Sequence, residues 1–429
     1  MSAMPTSPLQ IRDFRLYWLA RFFAVLATMG MVVIIGYQVY DTARAAYGMS
    51  IKEASLMLGL LGAVQFVPLA VLTPVAGWTA DRFERRTVAR FANGVDMLVA
   101  LTLGLVTYAQ VLSLPLLFTL AALHGVARVF TGPSMSAIAP NIVPPELLPK
   151  AIALSSIAWQ SATVAGPAIG GFLYAAHPAL PYWGASGLML CAILLLTPVR
   201  RVMPPPMTGH PHPIRQMVDG LTYVRRHRFL LGAITLDLFA VLLGGATAML
   251  PVFARDILHV GTEGLGLMRG APAIGAALMA GLFAWRPLKK DVGIKMLWAV
   301  AAFGLITIFF GISKNFGLSL FVLALLGAAD MLSVYVRSSL VQLHTPDQMR
   351  GRVSAVSGLA ISASNELGEL QSGLAAALLG PVGAVVAGGG AAVIIAGLWS
   401  YLFPELKRAK TFDPPPEVLA NAVMQEKPA

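Results

Sequence analysis

Apolar residues in this chain come in long unbroken runs separated by short polar turns. No Asp, Glu, Lys or Arg occurs in residues 54–80, 97–127, 151–199 or 370–404. A helix needs roughly 20 apolar residues to cross the hydrocarbon layer. The third run is long enough for two crossings, with a break at His177-Pro178-Ala179-Leu180-Pro181. Helix is the open-chain form that satisfies every backbone group in lipid, whereas a β-barrel would show weak alternation. The pattern therefore predicts an all-α integral membrane protein. Its twelve transmembrane helices are expected near 15–40, 54–76, 87–109, 115–139, 151–175, 181–199, 229–252, 264–285, 293–312, 317–340, 353–378 and 382–403.

Composition agrees: the chain is 57% hydrophobic and 12% charged, where a soluble domain is about one quarter charged. The net charge of +11 raises nucleic-acid binding, and its distribution argues against it. With the N-terminus in the cytoplasm, Arg44, Lys52, Arg255 and Lys314 fall outside and Arg21, Arg128 and Arg269 fall well inside spans. The remaining Lys and Arg are cytoplasmic or close to an inner span end, the positive-inside asymmetry with both termini cytoplasmic. A bacterial inner membrane and no nucleic-acid partner follow as expectations. The first apolar run is too long for a secretory signal and lacks a small-residue cleavage site, so it is kept as the first span. A lone Cys191 excludes an internal disulfide, and no spacing implies a metal or cofactor.

The polar turn between the second and third spans reads Gly77-x-x-x-Asp81-Arg82-x-x-Arg85-Arg86, and its spacing returns as Gly281-x-x-x-Trp285-Arg286-x-x-Lys289-Lys290. Pro145-Glu146 matches Pro346-Asp347, and Gly166 and Gly171 match Gly368 and Gly373. The chain thus divides into a six-helix half (1–199), a linker (200–228), a second six-helix half (229–405) and a cytoplasmic tail (406–429). In the linker, Pro204, Pro205, Pro206, Pro211 and Pro213 keep the first part extended. Ile214, Met217, Val218, Leu221 and Val224 then make one face of an amphipathic helix. That helix reads as interfacial, lying on the inner leaflet, with a regulatory partner site as the alternative.

The loop signature and the parallel repeat resemble the major facilitator superfamily, whose substrate site lies between two pseudo-symmetric halves. Residues 250–256, 264–272, 345–356 and 365–369 resemble the branch that contains the enterobactin exporter. The resemblance implies that Asp81, Arg82, Arg85 and Arg86 form a cytoplasmic latch. Gly77 is expected to let the end of the second helix approach a neighbour closely, having no Cβ. Ala162-x-x-x-Gly166-Pro167-x-x-Gly170-Gly171 resembles the antiporter motif, with Ala in place of its first Gly. By that resemblance it implies export, and by its small residues close helix packing.

Charges at mid-membrane cost at least ~2.5–3.5 kcal/mol and normally face a cavity or a partner. Asp96, Arg128, Asp237, Asp330 and Glu366 all fall near that depth, counting helical rise from the span ends. The resemblance places spans 1, 4, 7 and 10 around the cavity, which makes Arg128, Asp237 and Asp330 candidate proton or substrate residues. Asp96, on an outer span, reads as one member of a structural pair. Glu366 and Glu369 share a helix face, and two neighbouring carboxylates resist ionising together, which suits proton exchange. The alternative is an ion pair with an intramembrane Arg such as Arg269. Arg350 and Arg352 are candidates for an inner gate, or for lipid headgroups. His124 reads as a packed or cavity-facing imidazole, because no second His or Cys stands at ligand spacing.

The expected function is secondary active transport by a monomer embedded in membrane lipids. It would export a small organic substrate, amphipathic or hydrophobic and siderophore- or drug-like, in exchange for protons. An uptake symporter, a lipid or lysolipid flippase and a transporter-shaped sensor or secretion partner remain open. An enzyme is not expected, since no nucleophile–base or metal constellation appears.

Overall fold

A computed structural model describes residues 6–203 and 213–412. The described chain is all-helical. In the first half α1 is Arg12–Ala45, α2 Ile51–Arg82, α3 Arg85–Tyr108, α4 Leu114–Ser136, α5 Leu148–Ala176 and α6 Leu180–Leu196. The linker helix α7 is Pro213–Arg226. It is followed by α8 Arg228–Gly244, α9 Gly261–Trp285, α10 Val292–Ile312, α11 Phe316–Leu343 and α12 Asp347–Leu402. The linker prolines 204–206 and 211, and the tail beyond 412, lie outside the described residues.

Nine described stretches are long and apolar enough to cross a membrane. Two expected spans, 353–378 and 382–403, fall within one of these, the 54-residue stretch Met349–Leu402. The helix breaks between them at Gly380, whose φ of 79° only glycine adopts without strain. The spans expected at 151–175 and 181–199 are the helices α5 and α6, which fall outside the nine. Gln160, Ser161, Thr163 and four glycines and prolines between 166 and 171 dilute the apolar run of α5, and α6 has only 17 residues. Side chains such as Leu278, Trp298 and Leu378 are 71–77% exposed, as helices packed on one side and facing lipid on the other require.

The chain forms two compact units. One comprises Met1–Ser50, Leu60–His210 and Pro251–Gly270, the other Ile51–Gly59, Pro211–Leu250 and Ala271–Ala429. They follow the two sequence halves except at the start of α2 and around the start of α9, which each join the opposite unit. In the first unit α1 packs against α5 and α6, and α3 against α4 and α6. In the second, α8 packs against α12, and α10 against α11 and α12. The repeated packing is the structural counterpart of the sequence repeat. Phe14, Tyr17, Met135, Ile138 and Leu196 anchor the core of the first unit. Leu230, Ile234, Met296, Val336 and Leu340 anchor that of the second.

Small residues set the closest approaches. A Cβ on Gly166 would lie 2.7 Å from the Leu26 carbonyl oxygen, and one on Gly171 2.4 Å from that of Thr262. Gly166 and Gly170 therefore seat α5 on α1 at Gly30, and Gly171 seats it on α9 at Gly266. Pro167 is buried at the same contact, its carbonyl 3.0 Å from where a Cβ on Gly266 would stand. The four motif residues are thus one packing surface with two neighbours.

Candidate functional site

Each unit contains charged and polar side chains inside its helices. In the first unit, Asp96 of α3 is 3% exposed and His124 of α4 fully buried, with Nδ1 2.6 Å from the Asp96 carboxylate. Thr28 of α1 donates to the other carboxylate oxygen at 3.5 Å. Four residues after His124, on the same face of α4, Arg128 donates to Gln65 of α2 at 3.0 Å. Arg21 of α1 donates to the Tyr17 hydroxyl at 3.0 Å and to Ser136 at 3.5 Å. Arg21, Thr28, Arg128, Thr131, Ser136 and Trp159 line a partly open cavity of ≈ 210 Å³, with Met29 and Met135 contributing apolar wall.

The second unit holds the opposite balance. Asp237 of α8 and Arg337 of α11 are 6% and 4% exposed and meet at 2.7 Å. Asp330, two turns before Arg337 on α11, lies within electrostatic reach of both. Two carboxylates thus share the field of one guanidinium whose Nε is buried without a hydrogen-bond partner. Glu366 and Glu369 are half-buried on α12. Among the described residues no group of three or more His, Cys, Asp or Glu is placed to hold a metal ion.

The loop signature lies in the first unit. Arg86 pairs with Glu84 at 2.9 Å and donates to the Thr197 and Val199 carbonyls at the end of α6. Arg85 donates to the Ala137 carbonyl beyond α4 at 3.3 Å, and Arg82 lies 5.2 Å above the Trp78 ring. The Asp81 side chain is outside the described residues. Gly77 departs from expectation. Among the described residues a Cβ there would meet nothing within 4 Å, so none of them crowds this glycine. Gly132, four residues after Arg128, is equally open. In the second unit Arg350 donates to the Gln342 carbonyl at 3.2 Å, and Arg352 approaches Asp219 of α7 at 3.6 Å. A Cβ on Gly220 would lie 2.8 Å from the Arg352 carbonyl oxygen, so α7 docks closely on the start of α12. Val224 of α7 is buried in that contact, while Val218 and Leu221 remain exposed.

Comparison with known proteins gives the family. The model of a family described as transmembrane secretion effector matches residues 3–426. The chain belongs to that family. It is a multi-pass transport protein of the major facilitator superfamily. The enterobactin exporter of Shigella boydii serotype 18 is 25% identical over 425 residues, covering 98% of this chain and 97% of that protein. That of Escherichia coli O1:K1 is 26% identical over 427 residues, with the same coverage. Two solved structures share the fold. A POT family transporter bound to a thioalcohol-conjugated peptide has TM-score 0.72 at 11% identity, covering 92% of this chain and 96% of its own. A bacterial homologue of the human lysosomal transporter Spinster has TM-score 0.72 at 14% identity, covering 94% and 98%.

Two features of this chain escape a reading by sequence. Arg337 counts there among the charges near an inner helix end, yet the structure buries it against Asp237. Its position seven residues after Asp330, two helical turns on the same face, is the available signal. The second is a cluster joining α1 to residues 253–257. Tyr40 donates to Asp256 at 2.5 Å, and Arg44 lies 3.4 Å from the same carboxylate. Arg255 meets Asp41 at 3.3 Å and sits 5.9 Å from the Tyr40 ring. The motif around Asp256 was visible, but its partners are more than 200 positions away, where no local pattern reaches.

Proposed function

We propose that this chain is a proton-coupled exporter of the bacterial inner membrane. It moves an amphipathic or hydrophobic organic compound by alternating access, with both termini cytoplasmic. The observation that carries the coupling is the cluster of Asp237, Asp330 and Arg337. With both acids ionised it holds one negative charge in excess, and one proton makes it neutral. A neutral cluster is the cheaper one to keep within helices in lipid, so proton binding and release change the energy of rearranging them. The buried contact at 2.7 Å ties Asp237 to Arg337, which leaves Asp330 as the acid that takes and gives the proton. Asp96 and His124 read as a structural pair that joins α3 to α4. Glu366 and Glu369 remain a second candidate proton site.

Export is supported by full-length similarity to enterobactin exporters and by the Gly166–Gly171 packing surface, whose motif follows the antiporter pattern. Lipid covers the exposed apolar residues, and a monomer suffices for the cycle. The latch at Asp81, Arg82, Arg85 and Arg86 and the gate at Arg350 and Arg352 belong to the same reading.

The test uses inside-out membrane vesicles containing the protein, energised so that the lumen is acidic. A panel of anionic, neutral and cationic amphipathic fluorescent compounds is offered. Protein-dependent accumulation of at least one of them, stopped by an uncoupler, is the expected result. Accumulation driven by a sodium gradient and indifferent to the uncoupler would replace the proton. If no compound accumulates, the exporter reading fails.

A further inference from the structure

The linker helix α7 has two faces, and the protein covers one of them. A Cβ on Gly220 would lie 2.8 Å from the Arg352 carbonyl oxygen and 3.1 Å from a Val356 methyl group. Val224, one turn on, is buried in the core of the second unit together with Val353. That face is seated on the start of α12. Val218 and Thr222 stand two positions either side of Gly220, which puts them on the opposite face. Leu221 and Arg225, three and seven positions after Val218, share that opposite face, and Arg226 stands at its edge. Val218 is 53% and Leu221 39% exposed, and Thr222, Arg225 and Arg226 are exposed as well. The acid of this helix, Asp219, is turned to Arg352 at 3.6 Å. The uncovered face is therefore apolar and cationic.

The chain also fixes the depth of this face. His227 alone separates α7 from α8, and α8 opens the stretch Arg228–Ile257, long and apolar enough to cross a membrane. The last turn of α7 thus lies where the chain enters lipid, at the level of the headgroups. We infer that the uncovered face docks on anionic phospholipid of the inner leaflet, and that the docked helix steadies the first turns of α12. Val218 and Leu221 enter the boundary between headgroups and acyl chains, while Arg225 and Arg226 pair with the lipid phosphates. Position at the membrane entry favours lipid over a soluble protein partner. Asp219 and Gly220 carry the link to α12, because lifting α7 from the lipid strains the contact with Arg352 and the close seat beside it. The consequence for transport, a cycle whose rate depends on anionic lipid, rests on the exporter reading.

The test uses the full chain with Cys191→Ser and Thr222→Cys, carrying a bimane label at position 222. It is reconstituted in nanodiscs of phosphatidylcholine alone or mixed with phosphatidylglycerol. Part of the phosphatidylcholine is brominated near the carbonyl end of its acyl chains, so that a label within lipid is quenched. Quenching is expected to be much stronger with phosphatidylglycerol. High salt, or the double variant Arg225→Gln, Arg226→Gln, should remove most of the difference, since two arginines near an anionic surface shift the docking equilibrium by roughly 30-fold. In unlabelled protein, backbone amide exchange of residues 347–356 should be slower with phosphatidylglycerol, and in the double variant it should not respond. Equal quenching in the two lipid mixtures overturns the anionic-lipid assignment. Absence of quenching in both overturns docking on the membrane and gives the face to a soluble partner. Lipid-dependent quenching without a change in exchange removes the link to α12. Should the double variant fail to fold, the two lipid mixtures compared at low and high salt decide alone. None of these measurements needs a transported compound, so failure of the exporter reading in the vesicle test is told apart from failure of the lipid site.

Discussion

Arg128 and Asp330 stand at corresponding places in the two halves of the chain. The shift that carries Gly166 onto Gly368 and Gly171 onto Gly373 also carries Arg128 onto Asp330. One lies on α4 beside a cavity with a second Arg, the other on α11 beside Asp237 and Arg337. The packing around them repeats, with α3 on α4 and α6 in one unit and α10 on α11 and α12 in the other. Their charges are opposite. A repeat can therefore keep its helix contacts while its two copies of one position serve different chemistry. On the reading proposed above, the second unit supplies the carboxylate that takes the proton.

That contrast is broken most severely at Asp237. Asp237→Asn leaves Arg337 buried without its partner, and removing one member of a buried pair costs ~3–5 kcal/mol. A large fall in melting temperature in detergent is expected, with part of it restored in the double variant Asp237→Asn, Arg337→Met. If the single variant melts like the unaltered protein, Asp237 and Arg337 are not held together.

A smaller effect is expected at the packing surface of the first unit. Gly171→Ala places its Cβ 2.4 Å from the Thr262 carbonyl oxygen, and backbone cannot yield as a flexible side chain does. The forced shift of α5 from α9 should cost ~1–3 kcal/mol, read as a lower melting temperature. Gly77→Ala, open in this structure, should melt unchanged. Equal effects of the two substitutions would deny that Gly171 marks a close contact.

The His124 and Asp96 pair is the test of whether the first unit also handles protons. His124→Gln should cost ~1–3 kcal/mol of stability, through the hydrogen bond lost from a buried carboxylate. It should leave the uncoupler sensitivity of transport intact. Transport that no longer responds to the proton gradient would move the coupling site to α3 and α4. The smallest effect is expected at Arg228 and Glu405, whose side chains are 63% and 35% exposed. Breaking that pair should change stability by less than ~1 kcal/mol.

Much of this was legible in the sequence because membrane helices announce themselves by composition. Uncharged runs marked the spans, and among the few charges interrupting them Arg128, Asp237, Asp330, Glu366 and Glu369 became the candidate residues. Pairing was less legible. Asp96 suggested a structural partner without naming His124, since the sequence around a histidine in α4 is the same whether or not an acid of α3 faces it. Arg337 was hidden by its nearness to a helix end, where basic residues usually anchor topology. The outer cluster of Tyr40, Asp41, Arg44, Arg255 and Asp256 depends on contacts distant in sequence. Gly77 misled for a related reason: its motif marks a recurrent loop, while the crowding around a glycine depends on a neighbouring helix that the motif does not contain.

The assignment of the proton to the second unit is tested most directly by Asp330→Asn, compared with the unaltered protein in the same inside-out vesicles. Uphill accumulation of a transported compound and its downhill exchange without a proton gradient are measured side by side. The expected result is that uphill accumulation is abolished while exchange and the melting temperature stay close to those of the unaltered protein, because only the proton step is lost. Uphill accumulation at the unaltered rate, in a well-expressed Asp330→Asn protein, would contradict the placement of the proton on Asp330.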